Sequence, residues 1–323
     1  MQHRAFPIPI SLILALCAIR GLEVTAVQEA VSQRQVPQER QRHVNVRSVV
    51  DLSRSELITV YPELKNKLEF VEDQKDLAFL LQKVGENVEA FFNSFPNTTS
   101  LEEVRQELLR ADGELVRSRR TKYNYLMVTL PQGETGLEES RTDLKGSPVN
   151  LSGFERGFLL TYGYASREIY FHPQYQSGSR FRYLGQAPSR YPDYPDRAYI
   201  PGAHVIAFAQ RPEEAKILDY FRIPGHNVEI LVQGLVWIYS HNYQIARMRT
   251  DLLAPTDMGL ESQMTQIEFG EVHLGTPPRA FWLPYEVVVK LRFNQALYRN
   301  RHRYSDYKLF SVESFEKRNP PKP

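Results

Sequence analysis

The sequence predicts a β-rich α+β fold, in which a helical segment covers one face of an antiparallel sheet. An amphipathic helix pattern stops at Pro96, and after Arg120 short runs of strand formers alternate with Gly, Pro, Asn and Asp. No alternation of strands with helices is visible, which argues against a parallel sheet. With 323 residues, of which 42% are hydrophobic and 24% charged, the chain can form a core of ordinary size.

The first 26 residues have the pattern of a secretory signal peptide. His3 and Arg4 precede an apolar run at 8–19, and Ala26 supplies the small residue that signal peptidase needs before its cut. The run is shorter than the roughly 20 residues of a bilayer span, which disfavours the alternative of a transmembrane anchor. We therefore expect cleavage after Ala26, a periplasmic or secreted location, and no membrane-spanning segment in the processed chain.

Composition narrows the function classes. Cys17 is the only cysteine and lies inside the predicted signal peptide, so we expect no disulfide, zinc–thiolate site or cysteine nucleophile in the processed chain. The formal net charge of +2 provides no field that would favour nucleic acid as a partner.

Residues 27–72 are predicted to form a polar N-terminal extension, and residues 73–120 a helical segment. Between 73 and 95, apolar residues recur at spacings of three and four, as on one face of a helix. A second helix is predicted from Ser100 to Ala111, because Ser-Leu-Glu-Glu matches a capping box with Glu103 at its third helical position. The first helix is long enough to cover the apolar side of a sheet.

Residues 121–318 are predicted to form the sheet, and 319–323 a C-terminal tail. A short helix is also expected within 211–221, where Pro212 suits a first helical position. Alternation predicts that Val287 and Val289 share a buried face opposite Lys290, and that Arg247 and Arg249 lie opposite the core. The predicted strands are 123–130, 168–172, 181–185, 203–210, 231–240, 245–252, 264–269, 283–293, 298–304 and 308–315.

Five motifs in the C-terminal half resemble the outer-membrane lipoprotein-sorting, or LolA-like, group of bacterial envelope proteins. The resemblance covers about 123–315 and implies a strongly curved antiparallel sheet, an unclosed half-barrel with helices over its concave side. In lipoprotein carriers of that group the apolar concavity accepts acyl chains, and in related sigma-factor regulators the fold acts in sensing. The motifs are Gly234-Leu-Val-Trp237-Ile, Ile245-Ala-Arg247-Met-Arg249, Thr265-Gln-Ile-Glu-Phe269-Gly, Trp282-Leu-Pro284 and Tyr304-Ser-Asp-Tyr307-Lys-Leu-Phe310.

Aromatic and aliphatic residues of the predicted strands are candidates for the wall of an acyl-binding cavity, and ordinary core packing is the alternative. A Tyr- and Pro-rich loop holding Tyr191, Tyr194 and Tyr199 is a candidate lid or partner-binding loop, or else a plain irregular connection. The candidate wall residues are Trp237, Tyr239, Ile267, Phe269, Trp282, Val287, Val289 and Leu291.

Basic residues cluster twice, and either cluster suits anionic lipid headgroups or an acidic protein surface. A solvated face is the alternative explanation. We expect the first cluster to follow the end of the second helix, where cations are favoured, and the second to alternate along a strand. The clusters are Arg117, Arg119, Arg120 and Lys122, and Arg299, Arg301 and Arg303.

The sequence favours no catalytic role. Its histidines show neither His-x-His nor HExxH spacing, and no Gly-x-Ser-x-Gly elbow or phosphate-binding glycine loop is present. We therefore predict no catalytic residue, metal site or cofactor, although a hydrolase assembled by the fold stays open. The first hypothesis is an exported envelope protein that binds, carries or senses an acylated ligand, a lipid or lipoprotein. The second is a non-enzymatic module on a packed half-barrel that binds a protein or glycan, with an envelope protein as one possible partner.

Overall fold

The computed structural model describes residues 46–131, 133–149, 153–155, 157–189, 199–217, 219–223 and 226–310. The predicted signal peptide, Tyr191, Tyr194 and the predicted tail lie outside these residues. The helices are α1 (Arg54–Val60) and α2 (Leu77–Ser94), with short 3-10 turns at Val49–Asp51, Pro62–Leu64, Arg167–Phe171 and Gln176–Gly178. The strands are β1 (Glu69–Phe70), β2 (Thr98–Leu109), β3 (Leu115–Thr129), β4 (Leu137–Thr142), β5 (Gly153–Glu155), β6 (Phe158–Leu160), β7 (Ser179–Gln186), β8 (His204–Gln210), β9 (Asp219–Ile223), β10 (His226–Ile230), β11 (Val232–Ile238), β12 (Ile245–Leu252), β13 (Leu260–Leu274), β14 (Arg279–Phe293) and β15 (Ala296–Leu309).

Eleven strands form one antiparallel sheet in the order β1-β7-β8-β11-β12-β13-β14-β15-β2-β3-β4. The pairs β9–β10 and β5–β6 form separate two-stranded ribbons. In the described part of the chain, β1 and β4 end the order without pairing to each other, so the sheet stays unclosed. The predicted fold class, a β-rich α+β protein with a curved, unclosed antiparallel sheet, is confirmed.

Helix α2 covers the inner face of the sheet, as its periodicity predicts. Leu80, Val84 and Val88 are buried along one side of the helix and join the main core with the inner residues of the strands. Full burial of such a side chain stabilises the fold by about 1.5–3 kcal/mol. The helix ends at Ser94, two residues before Pro96, because a proline disfavours helical geometry in the residue before it.

The prediction of a second helix after Ser100 is wrong, and so is the helical segment beyond residue 95. Residues 98–109 form β2, which pairs with β15 and β3. Glu102 and Gln106 alternate with solvent-facing Glu103 and Arg105, but they point inward and are fully buried. Because these inward residues are polar, the sequence of β2 does not have the alternation of apolar and polar residues that indicates a strand. The first basic cluster therefore lies on β3 and does not follow a helix end.

The predicted polar extension 27–72 is wrong for its described part, because residues 46–70 form a folded strap over the outer face of the sheet. Val49, Leu57 and Leu64 of this N-terminal strap are buried against Leu235 and Trp237. The sheet therefore buries both faces at β7, β8, β11 and β12, where the sequence predicted one. This second apolar cluster explains why the outward side of β11 is apolar.

The two arginines of β12 lie on the outer face of the sheet, and one of them binds the strap. Arg247 donates from Nε to Glu268 Oε1 at 2.6 Å, and its guanidinium lies 5.3 Å from the Trp237 ring centroid. Arg249 donates from Nη1 to Glu63 Oε1 at 2.6 Å and lies 4.4 Å over the Tyr61 ring. Arg249 therefore joins the strap to the sheet by an ion pair and a cation–π contact, whereas Arg247 links β12 to β13 and packs on Trp237 of β11.

Three further predictions on secondary structure are wrong. Residues 168–171 lie in a 3-10 turn and not in the predicted strand. The prediction failed because a short continuous apolar run does not distinguish a strand from other buried structure. Residues 211–215 make a single turn, and 219–223 pair as β9 with β10, so no helix forms within the described part of 211–221. The strand expected at 298–304 and the described part of the strand expected at 308–315 are one strand, β15, which continues through Ser305 and Asp306 to Leu309.

Candidate binding site

The predicted wall residues do not surround a common cavity. Ile267, Phe269, Val287 and Val289 are at most 2% exposed, and all four are packed in the main core. Leu291 belongs to a different apolar cluster, under the β9–β10 ribbon. None of these five residues lines the cavity beside Tyr164 or the cleft beside Arg180.

The three remaining wall candidates lie apart from that core or at its margin. Trp237 is buried on the outer face, under the N-terminal strap. Tyr239 and Trp282 are partly buried, with ring centroids 5.3 Å apart. Tyr199, from the candidate lid loop, donates its hydroxyl hydrogen to the Pro188 carbonyl oxygen.

A buried polar network fills the inner side of β2, β4 and β15. The Glu102 carboxylate accepts hydrogen bonds from Arg141 Nε at 2.5 Å, His302 Nδ1 at 2.8 Å and the Tyr304 hydroxyl at 2.8 Å. Burial opposes ionisation of Glu102, but the Arg141 guanidinium outweighs it and lowers the pKa of Glu102 to about 2. This carboxylate is therefore charged at neutral pH inside the half-barrel.

A second buried carboxylate, Glu139, fixes the segment that covers this network. Glu139 accepts from the backbone N–H groups of Tyr164 at 3.0 Å and Ser166 at 3.0 Å, and from the Ser166 hydroxyl at 2.6 Å. The Tyr125 hydroxyl donates to the same carboxylate. Residues 158–171 are thus anchored by hydrogen bonds on the inner side of the sheet, where a ligand cavity was expected.

Glu102, His302 and Tyr164 form a chain of contacts with the geometry of a proton relay. His302 Nε2 lies 3.1 Å from the Tyr164 hydroxyl oxygen, opposite its contact with Glu102. The adjacent cavity holds only about 50 Å³, room for one or two water molecules. Because burial also raises the pKa of Tyr164, its hydroxyl stays neutral and enclosed. The sequence does not predict this cluster, because the sheet brings Glu102 and His302 together and the segment after β6 adds Tyr164.

The described residues contain no group of three or more His, Cys, Asp and Glu side chains that could hold a metal ion. None of the helices in that part of the chain is long and apolar enough to cross a bilayer.

A larger cleft of about 450 Å³ lies between the strap, β7 and the turn after β8. This polar cleft has a volume typical of ligand sites, although ligand sites are usually more apolar. Its lining residues are Val46, Arg47, Ser48, Asp51, Arg180, Gln210, Arg211, Pro212, Glu213, Glu214 and Leu253.

Two ion pairs set the geometry of the strap side of the polar cleft. Arg180 binds Asp51 with two hydrogen bonds, of 2.8 Å from Nη1 and 2.6 Å from Nη2, and also donates to the Ser48 hydroxyl at 2.7 Å. Its hydrogen bonds are the largest cause that lowers the pKa of Asp51 to about 2. Arg47 binds Glu56 in the same forked way, at 2.6 and 2.8 Å.

The opposite side of the polar cleft is the turn that follows β8. The backbone N–H of Arg211 donates to the Gly178 carbonyl at 2.9 Å, and Nη1 donates to Glu214 at 3.1 Å. Within the described residues, Arg211 Nε is buried without a hydrogen-bond partner. Glu213 is exposed at the cleft and takes part in no ion pair of the described chain. A buried donor without a partner is unusual and favours a ligand or water at this position.

Comparison with known proteins gives little further information. No family model and no curated protein matches the chain. Among solved structures it is similar to a DUF1329 family protein from Desulfovibrio piger ATCC 29098, with a TM-score of 0.31 and 6% identity over 73% of this chain and 94% of that chain. A likeness this distant carries no argument about function. The fold and site define a β-rich, unclosed half-barrel protein whose described residues pack the inner side of the sheet and line a polar cleft.

Proposed function

We propose that the protein is a non-enzymatic interaction module on a filled half-barrel scaffold, and that its polar cleft binds a charged peptide segment of a partner protein. The observation that carries the proposal is the lining of the cleft, in which Arg47, Arg180 and Arg211 face Asp51, Glu213 and Glu214. The predicted signal peptide supports a partner in the bacterial envelope.

The character of the lining favours a peptide over the acyl ligand that the LolA-like resemblance implies. An acyl chain needs an apolar cavity, and only Val46, Pro212 and Leu253 are apolar here. A glycan is less favoured, because sugar rings stack on aromatic side chains and none of the lining residues is aromatic. Side chains of both signs suit a polypeptide that offers carboxylates, amines and backbone amides.

The binding mechanism follows from the groups that are available to a ligand. Arg211 offers its half-exposed guanidinium to an acceptor such as a carboxylate or a backbone carbonyl. Glu213 offers a carboxylate to a cation or a backbone N–H of the ligand. Arg180 and Asp51 neutralise each other and hold the strap in place, so they shape the cleft. Opposite charges at neighbouring positions would fix the direction of the peptide.

The test is selection from a displayed peptide library with the exported, processed chain, followed by fluorescence anisotropy on enriched peptides. The variant Arg211→Gln with Glu213→Gln keeps the net charge and removes both ligand-facing groups. We expect it to weaken binding by about tenfold or more, since a charge-assisted hydrogen bond contributes about 1.5–3 kcal/mol. The control is the double variant Lys75→Gln with Glu89→Gln, which also keeps the net charge and changes two exposed residues outside the cleft.

Failure to enrich any peptide, or equal binding by the cleft variant and the wild-type chain, would contradict the proposal. Equal losses in the cleft variant and the control would also count against it, because they would assign the binding to general surface charge.

A further inference from the structure

The outer face of three neighbouring strands carries a dense group of cations. Strand pairing places Arg303, Glu103 and Lys122 in one row across β15, β2 and β3, and Arg299, Glu107 and Ser118 in another. The row between them consists of Arg301, Arg105 and Arg120. We call these nine positions the arginine face. Neighbouring strands are about 4.8 Å apart, so the face measures about 10 by 14 Å.

The arginines in the central row of this face repel one another when no anion is bound to them. Arg301, Arg105 and Arg120 stand opposite one another on adjacent strands, and like charges in this position destabilise a sheet. All three side chains are about half exposed or more. A stable sheet has no need of three arginines here, whereas an anionic partner would turn the same row into a favourable one.

Neighbouring glutamates neutralise only part of this charge. Glu107 is shared by Arg105 at 2.8 Å and Arg299, and Glu103 by Arg120 at 3.4 Å and Lys122 at 3.9 Å. A third, Glu286 of β14, is shared by Arg301 at 2.8 Å and Arg303 at 3.3 Å. Three carboxylates therefore serve six cations, which leaves an excess of three positive charges.

An apolar row borders the arginine face. Leu297 lies opposite Leu109, and Leu109 lies opposite Leu115, in the row that follows Arg299 and Glu107. Leu115 and its neighbour Val116 are about half exposed. Apolar side chains are thus exposed to solvent in the row next to the row that contains Arg299.

We propose that the arginine face docks the protein onto a bilayer that contains anionic phospholipids. Cations at headgroup level and apolar side chains beside them match the two layers of a membrane interface. A soluble acidic protein or a polyanion would use the cations but would give no reason for the exposed apolar row. Arg110, Asp112 and Glu114 occupy the turn beyond that row, so the flat face and not the hairpin tip would meet the lipid.

The test is flotation of the exported, processed chain with vesicles of phosphatidylcholine, alone or with roughly 30% phosphatidylglycerol. We expect binding only with the anionic lipid, and weaker binding as salt rises from about 0.05 M to about 0.5 M. The variant Arg105→Gln, Arg120→Gln, Arg301→Gln should lose binding on the order of 100-fold, since each cation at an anionic surface contributes about fivefold.

The matched control removes three other exposed cations, by Lys65→Gln, Lys75→Gln and Lys145→Gln, and should keep most of the affinity. Thermal unfolding of the arginine variant should occur at or above the wild-type temperature, because the repulsion within the row is gone. Absence of binding that depends on phosphatidylglycerol, or equal losses in the two triple variants, would overturn the proposal.

The apolar row provides a separate test. Leu115→Ser with Val116→Ser removes apolar side chains and no charge, and it should weaken vesicle binding about tenfold or more. Its residual binding should stay as sensitive to salt as that of the wild type. Unchanged affinity in this folded variant would overturn docking onto a bilayer and would assign the cations to a soluble anion.

Discussion

Glu168 is expected to make the stability of the fold depend on pH. The side chain lies in the 3-10 turn Arg167–Phe171, is only 3% exposed, and has a carboxylate oxygen without a hydrogen-bond partner among the described residues. Burial raises the pKa of Glu168 to about 8 from its ordinary value of 4.5. The folded chain therefore holds a proton on this group at neutral pH, and the unfolded chain does not.

The sign and size of the effect of Glu168 on the free energy of unfolding follow from proton linkage. Below pH 4.5 both states hold the proton, and Glu168 does not affect stability through its ionisation. As pH rises from 4.5 towards 8, only the unfolded chain releases its proton, which costs the fold about 1.36 kcal/mol per pH unit. The loss reaches about 5 kcal/mol above pH 8, and about 2 kcal/mol of it falls between pH 6 and pH 8.

Urea unfolding of the wild type and of Glu168→Gln, followed by tryptophan fluorescence at several pH values, measures this directly. The free energy of unfolding of the variant minus that of the wild type should grow by about 2 kcal/mol between pH 6 and pH 8. Titration of His172, His204 and His302, whose pKa values burial lowers, is common to both proteins and cancels in the difference. Glu138→Gln, an exposed change on β4, is the control. A difference that stays constant with pH would refute the reasoning.

Two further substitutions test the fold, both by urea unfolding. Glu102→Gln leaves its arginine partner buried without a counter-charge and should cost about 3–5 kcal/mol, whereas Glu103→Gln on the outer face should cost less than about 1 kcal/mol. Equal costs would mean that the network is not buried as described. Gly234→Ala places a methyl group on the Arg249 carbonyl oxygen and should cost about 1–3 kcal/mol or more. Gly270→Ala meets only a movable tyrosine ring at 3.1 Å, so a similar loss there would contradict this explanation.

The sequence predicts the parts of the fold in which hydrophobic periodicity and burial agree. Helix α2 shows the spacing of one apolar face, and β12 has the bounds that the pattern predicts, 245–252. On β14, Val287 and Val289 are buried and Lys290 is exposed, as alternation indicates. Tyr285 departs from that alternation because it lies at a register shift, where Glu268 pairs with Glu286 but Phe269 pairs with Pro284.

Polar residues in buried positions could not be predicted from a hydrophobic pattern. Glu102, Arg141 and His302 are fully buried because they satisfy one another, and those partners are far apart in the sequence. Their inward polarity made β2 resemble a capped helix. The N-terminal strap was missed for a related reason, since its few apolar residues are widely spaced and become a core only against Trp237.

The polar cleft could not be predicted either, because four distant segments form it, the fourth being Leu253 after β12. Arg47 and Asp51 come from the strap, Arg180 from β7 and Arg211 from the turn after β8. Five of the six cations of the arginine face belong to the two basic clusters seen in the sequence, and Arg105 belongs to neither. Their alignment across neighbouring strands follows only from the pairing of β15, β2 and β3.

The most direct test of a filled half-barrel with a polar binding cleft is native mass spectrometry, with organic extraction, of the processed chain purified without detergent. The account predicts the mass of the polypeptide alone, no extractable lipid, and no binding of fluorescent fatty acids, because Phe269 and Val289 are packed in the core. Discrete additional masses that extract as lipid would contradict it, and would return the interior of the half-barrel to the role of an acyl-binding cavity.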